Sequence, residues 1–339
     1  MKKGSTIKPL GNCMAPAWKG AYNMKEFNLD IPLGEGCEIW LYTKKKNALK
    51  SMSFTRLETS LKMLLRHPVS QVRLKDLNSD CIQRYINSLV QDGYALTTIK
   101  KQFNLITSYL RYLMGEGIPI VPSFLNVYLP KQDTVQKPKK EVFSYNLVEQ
   151  KRLITACENE DTQGARLLIL LIETGMRVGE ALALRWSDVE WDRRAVYIHS
   201  TLINYSAPKR MFVQNSPKSQ SSIRHIPLSS RAFRLLERLF DVATDPEGFV
   251  FPPNVDDGLD RPIGYEACRY EVTAVCKLAN VKYMGFHVFR HTFATNCYNR
   301  GCDVKKLSKL MGHSSVTVTY NTYIHLFGDD LDTLRDIVN

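Results

Sequence analysis

Histidine and arginine share one short stretch, "FHVFRHTFAT", in a way that suggests phosphate chemistry. At i, i+3 spacing His287 and Arg290 fall on one face of a helix, while Phe289 and Phe293 lie on another and can anchor it. A planar guanidinium beside an imidazole can grip a phosphate and assist movement of charge or a proton on it. A second arginine, Arg177 in "TGMRVGE", follows a glycine that ends one helix and precedes the start of the next, where a helix N-terminus favours anions. Glu180 is within reach to orient it; equally, Arg177 and Glu180 could form a purely structural ion pair. Near the end, "MGHSSVTVTYNTYIH" sets Tyr320 and Tyr323 three residues apart, after His313. One of them is a candidate nucleophile. A free tyrosine has a pKa of about 10 and needs such help near neutral pH.

Other chemistries find little support. The chain has no G-x-x-x-x-G-K-[ST] loop, no H-E-x-x-H and no EF-hand loop, so neither a bound nucleotide nor a metal cofactor is expected. His287, His291, Cys297 and Cys302 could be drawn as a zinc set, but Arg290 would put a fixed positive charge beside the cation. Asp256, Asp257 and Asp260 sit beside Pro252, Pro253 and Gly258 and read as a solvated loop. Forty-six Lys and Arg against thirty-four Asp and Glu give a net charge of +12, which favours a polyanionic partner, nucleic acid first. The basic N-terminus lacks the apolar run of a secretion signal, and no apolar stretch approaches the roughly 20 residues of a membrane span. Eight cysteines without C-x-x-C pairs suit reduced thiols, so a cytoplasmic protein that does not enter the membrane is expected.

The elements that must position these groups follow from periodicity. Residues 1–34 show none and stay unassigned. Residues 35–127 are predicted to form a helical bundle, from stripes such as Ile82, Tyr85, Ile86, Leu89 and Ile99, Phe103, Ile106, Leu110, Leu113. Residues 128–144, rich in Pro and Lys, read as an extended basic linker. Residues 145–339 form a second domain. Asn146 with Glu149 marks its first helix start, and "GARLLILLIETG" is apolar on nearly all sides and therefore central. "AVYIHSTLI" and "SSIRHIPLS" are β-rich runs flanking a polar stretch, as in a small hairpin or sheet edge. Helices are expected at about 229–241, 264–280, 287–300 and 303–311. The fold class is α+β, mainly helical, with a small β-sheet. His199 and His225 read as structural, and Tyr205 and Tyr270 as packing or DNA-facing aromatics.

Taken in order, Arg177 in "TGMRVGE", Lys218 in "SPKSQSSIRHIPL", His287 and Arg290 in "HVFRHTFAT", His313 in "LMGHSS" and a downstream tyrosine resemble the motifs of the tyrosine recombinases, or phage-type integrases. The likeness is nearest to integrases of phages and conjugative transposons. It implies a helical core-binding domain and a catalytic domain clamped around specific sites on double-stranded DNA, as a homotetramer, with possible accessory DNA-bending or directionality proteins. It implies transesterification: a tyrosine attacks phosphorus, leaving a 3′-phosphotyrosyl link and a free 5′-hydroxyl, without ATP. Arg177 and Arg290 would neutralise the non-bridging oxygens, Lys218 would protonate the leaving oxygen, and His287 and His313 would help move the nucleophile's proton. Lys209 and Arg210 share the polar stretch, but Lys218 precedes the strand by about the family's interval. Tyr323 opens the "Y-I-H" ending that matches the family nucleophile. Tyr320 falls where the family has an apolar residue, so it is expected to pack one turn behind. Integration and excision of a mobile element is the implied role; a housekeeping resolvase, a type IB topoisomerase and an inactive DNA-binding regulator are the alternatives. Many mobile-element integrases begin with an arm-binding domain, for which 34 unpatterned residues are too few.

Overall fold

The computed structural model describes residues 28–49, 51–135, 143–206, 209–214, 220–254 and 258–323. They belong to two compact units, which divide at residues 139 and 140. No described helix is long and apolar enough to cross a membrane.

The first unit is helical. Helix α1 (Leu33–Trp40) runs on into a single π turn, and α2 (Ser51–Leu64), α3 (Ser79–Gln91) and α4 (Leu96–Gly115) follow. The Asn78 side chain accepts from the Cys81 N–H and so caps α3. Its stripe of Ile82, Tyr85, Ile86 and Leu89 is buried, as the periodicity requires. Gln102, an unexpected polar residue in the core, is accommodated because its Oε1 accepts from the Tyr85 hydroxyl at 2.9 Å. The basic stretch expected as a linker from residue 128 begins with a short 3-10 turn (Gln132–Thr134), and Val135 is buried at the edge of the first core. Residues 136–142 lie outside the described residues, as do residues 1–27.

The second unit opens on α5 (Leu147–Glu160), whose start is the reciprocal cap between Asn146 and Glu149. Helix α6 (Gln163–Thr174) buries nearly every face and stops at Gly175, in the left-handed region at φ 64°. A side chain could not replace that glycine: a Cβ would meet the Phe293 ring at 2.3 Å. The one-turn helix α7 (Val178–Leu182) leads to β1 (Val189–Glu190) and β2 (Ala195–Ile198). Strands β3 (Thr201–Ser206) and β4 (Lys209–Gln214) form a separate hairpin, and β5 (Arg224–Pro227) returns to the first sheet. The three-stranded sheet is antiparallel in the order β1-β2-β5, with Val196 opposite Ile226 and Ile198 opposite Arg224. Helices α8 (Ser230–Asp241), α9 (Tyr265–Leu278), α10 (Phe286–Asn299), α11 (Val304–Met311) and α12 (Val316–Tyr323) complete the unit. Helices α5, α8, α9 and α10 pack around α6.

That central position makes α6 the stability-determining helix of its unit. Leu170→Ala, at a fully buried site, is expected to cost about 2–5 kcal/mol. Leu147→Ala, at a side chain 75% exposed, should stay within about 0.5 kcal/mol. Denaturant unfolding of the two variants checks this, and equal losses would contradict it.

Candidate active site

The end of α11 gathers the charged groups. Its last carbonyls have no partner inside the helix, and three successive ones each accept from a different arginine. Arg224 Nε donates to the Leu310 carbonyl at 2.6 Å, Arg290 Nη2 to that of Met311, and Arg177 Nη2 to that of Gly312 at 3.3 Å. These arginines come from β5, α10 and the N-cap of α7. Arg290 also donates to the Gly175 carbonyl at 2.7 Å, which fastens α10 to the turn that ends α6. Cations are favourable at a helix C-terminus; here they draw separate elements onto one point.

One carboxylate balances them. Glu180 is 5% exposed and takes Arg224 bidentately, Nη1 to Oε1 at 3.2 Å and Nη2 to Oε2 at 2.8 Å. It also accepts from Arg177 Nη1 at 2.7 Å and from the Arg177 backbone N–H at 2.9 Å. Burial pushes the Glu180 carboxyl up, but the hydrogen bonds and charge of Arg224, then Arg177, overcome it and hold the group at about 2. Three guanidiniums against one carboxylate leave the cluster net positive by two charges. Arg177 keeps 36% of its side chain exposed, whereas Arg224 and Arg290 are buried.

Gly312 ends α11 in the left-handed region at φ 60° and turns the chain toward His313. A Cβ there would stand 3.0 Å from Arg224 Nη1, so the glycine also admits the arginine. The His313 N–H donates to the Ser308 carbonyl, and Nδ1 lies 2.7 Å from the hydroxyl of Thr319, which is fully buried on α12. Burial, with the charges of Arg290, Arg177, Arg224 and His291, pushes the His313 imidazole down to about 4. Burial, then Arg290 and Arg177, lowers His287, one turn before Arg290 on α10. Both imidazoles are therefore neutral at neutral pH, with one ring nitrogen able to accept a hydrogen bond and the other to donate one.

Arg177, Glu180, His287, Arg290 and His313 thus come together. Lys218 lies outside the described residues, and so does the side chain of Tyr323, the last residue of α12. Tyr320 corrects an expectation: it is 47% exposed rather than packed, because Thr319 takes the buried side of that turn. Sequence reasoning missed Arg224 and Thr319. For Arg224 the signal was present, since alternation along "RHIP" puts it on the same face as the fully buried Ile226. His199 and His225 sit outside the cluster, bonded to Asp188 at 2.8 Å and Glu190 at 2.9 Å, with Tyr197 stacked against both rings. Asp260 pairs with Arg185. Among the described residues, no three His, Cys, Asp or Glu side chains gather as a metal-ligand set.

These shifts have a consequence for acid stability. Glu180 titrates below its ordinary 4.5, so its contribution is full above that pH and is lost as pH falls toward about 2. The His313 contribution is full above about 6.5 and is lost as pH falls toward about 4. Urea midpoints of the full chain between pH 7 and 2 should therefore fall steadily. His313→Asn should flatten the upper part of that slope. Glu180→Gln should flatten the lower part, at an absolute stability roughly 3–5 kcal/mol below the parent because it strands a buried charge. An unchanged slope in both variants would refute the assignment.

Residues 147–329, more than half of the chain, match the phage integrase family. The tyrosine recombinase XerC-like protein of Caldanaerobacter subterraneus subsp. tengcongensis is 25% identical over 91% of this chain and 84% of its own length. Transposase A from transposon Tn554 of Staphylococcus aureus is 29% identical over 69% of this chain and 68% of its own. Among solved structures, the Tn1549 transposon integrase in complex with a circular intermediate DNA shares the fold at a TM-score of 0.74 and 16% identity, covering 91% of this chain and all of that one. A lambda integrase tetramer bound to a Holliday junction does so at 0.61 and 15% identity, covering 86% of this chain and 77% of that one. The chain belongs to the phage integrase family, the tyrosine recombinases, which are DNA strand-transferring enzymes.

Proposed function

We propose that this enzyme is a site-specific recombinase that integrates and excises a mobile element, with Tyr323 as nucleophile. The observation that carries the reading is the convergence of Arg177 and Arg290 on the end of α11, where His313 follows, with His287 near enough to feel both charges, just before the helix that ends in Tyr323. The tyrosine oxygen attacks a backbone phosphorus, and the bond to the 5′-oxygen breaks. Lys218 gives that oxygen its proton, while neutral His287 and His313 hold the phosphate and help take the proton from the tyrosine. The phosphotyrosyl ester conserves the bond energy, and the 5′-hydroxyl of another strand reverses the step, so ATP is not consumed. Arg177 and Arg290 offset the charge that grows on the non-bridging oxygens of the pentavalent transition state.

The first unit serves as the core-binding domain, and four copies assemble on two recombination sites. Affinity then rests largely on phosphate contacts and weakens steeply with salt. Relatedness to the Tn554 transposase supports a mobile-element role. Relatedness to the XerC-like recombinase favours a second reading, resolution of replicated DNA.

Nicked DNA that carries candidate element ends, incubated with the protein and run on a denaturing gel, tests the proposal. A covalent adduct is expected from the parent and from Tyr320→Phe, and none from Tyr323→Phe; the reverse pattern would overturn the nucleophile assignment. Arg177→Ala and Arg290→Ala should each slow adduct formation by about 10²–10³-fold. Adducts on a chromosomal resolution site and none on element ends would replace the mobile-element role with the housekeeping one.

A further inference from the structure

We infer that Arg224 is a positioning residue of this site: by taking up the charge of Glu180, it leaves Arg177 available to a DNA phosphate. The inference rests on the role proposed above for Arg177. Arg224 is 6% exposed, and its donors are turned inward, to both Glu180 oxygens and to the Ser222 and Leu310 carbonyls. It acts on the reaction through its neighbours, without meeting the substrate.

Glu180 is shared between two guanidiniums. Its Oε1 accepts from Arg177 Nη1 at 2.7 Å and from Arg224 Nη1 at 3.2 Å, while Oε2 is held by Arg224 Nη2 at 2.8 Å. A carboxylate facing a single arginine forms a closed bidentate pair that consumes that arginine's charge and its parallel donors. With Arg224 in place, Arg177 engages Glu180 through one terminal nitrogen and the end of α11 through the other, and remains the partly exposed member of the three. Without Arg224, the buried carboxylate would have Arg177 as its only close guanidinium and would draw it inward. The same side chain ties β5 to the Leu310 carbonyl, two residues before the glycine that aims His313. A missing arginine at this position should therefore affect the chemical step more than DNA capture.

The test compares adduct formation on nicked DNA, across DNA concentrations, for the parent, Arg224→Met, Arg224→Lys, Glu180→Gln and the double variant R224M/E180Q. Arg224→Met should slow adduct formation by about 100-fold at saturating DNA, with half-saturation within about threefold of the parent. The double variant should recover at least about tenfold over Arg224→Met, because removing the carboxylate frees Arg177. A merely structural arginine gives recovery only in step with folding stability, so urea midpoints are read beside the rates: rates that simply follow the midpoints, or a defect that persists or deepens in the double variant, overturn the inference, as does an Arg224→Met as fast as the parent. Where Arg224→Met does not fold, Arg224→Lys and R224K/E180Q take its place in the same comparison, with recovery again expected. Absence of adduct from the parent enzyme would instead sink the recombinase reading on which the inference rests.

Discussion

Everything at this site hangs on one buried carboxylate between two arginines. A charge as enclosed as Glu180 is stable only when its desolvation is offset by well-made hydrogen bonds, and here the offset comes from parts of the chain distant in sequence. Arg177 stands at the head of α7 and Arg224 on a sheet strand, and each also reaches the end of α11. The elements around the candidate reaction centre are therefore fixed through charge as well as apolar packing. Arg290 completes the arrangement by joining the turn after α6 to the same helix end.

The surplus of positive charge has a second effect, on the histidines. An imidazole surrounded by fixed guanidiniums and partly withdrawn from water resists taking a further proton. Burial first, and then the charges of Arg290 and Arg177, hold His287 and His313 neutral. The cluster thus combines two kinds of side chain: the arginines carry permanent charge, and the histidines beside them stay neutral hydrogen-bonding groups.

Much of this was legible in the sequence, and the reasons differ by element. Helices such as α3 and α6 declare themselves through apolar stripes and caps, because burial of one face is a local pattern. Arg177, His287 and Arg290 stood out because each lies beside a helix terminus or on a helix face whose direction the local pattern sets, whereas His313 joined them through the ordered motifs of the resemblance. For Arg224 the alternation along β5 signalled burial, but not its partner, which lies 44 residues away and is brought to it only by the sheet fold. Tyr320 was expected to pack because the resemblance has an apolar residue there; a short helix full of β-branched residues carries little amphipathic signal against that, and the side chain buried on this turn is Thr319, bonded to His313.

Strand β5 alternates buried and exposed positions, with Arg224 facing inward and His225 outward. Alternation in a strand has a period of two, so sliding β5 by a single residue against β2 exchanges the two faces. Such a slip would withdraw the guanidinium from Glu180 and put an imidazole in its place. The β3–β4 hairpin, inserted between those two strands, is for this reason constrained in how it ends even where its length is free to vary. A hairpin transplanted from a relative would have to return β5 in the same register, or the arginine cluster would lose its counter-charge while the sheet itself still formed.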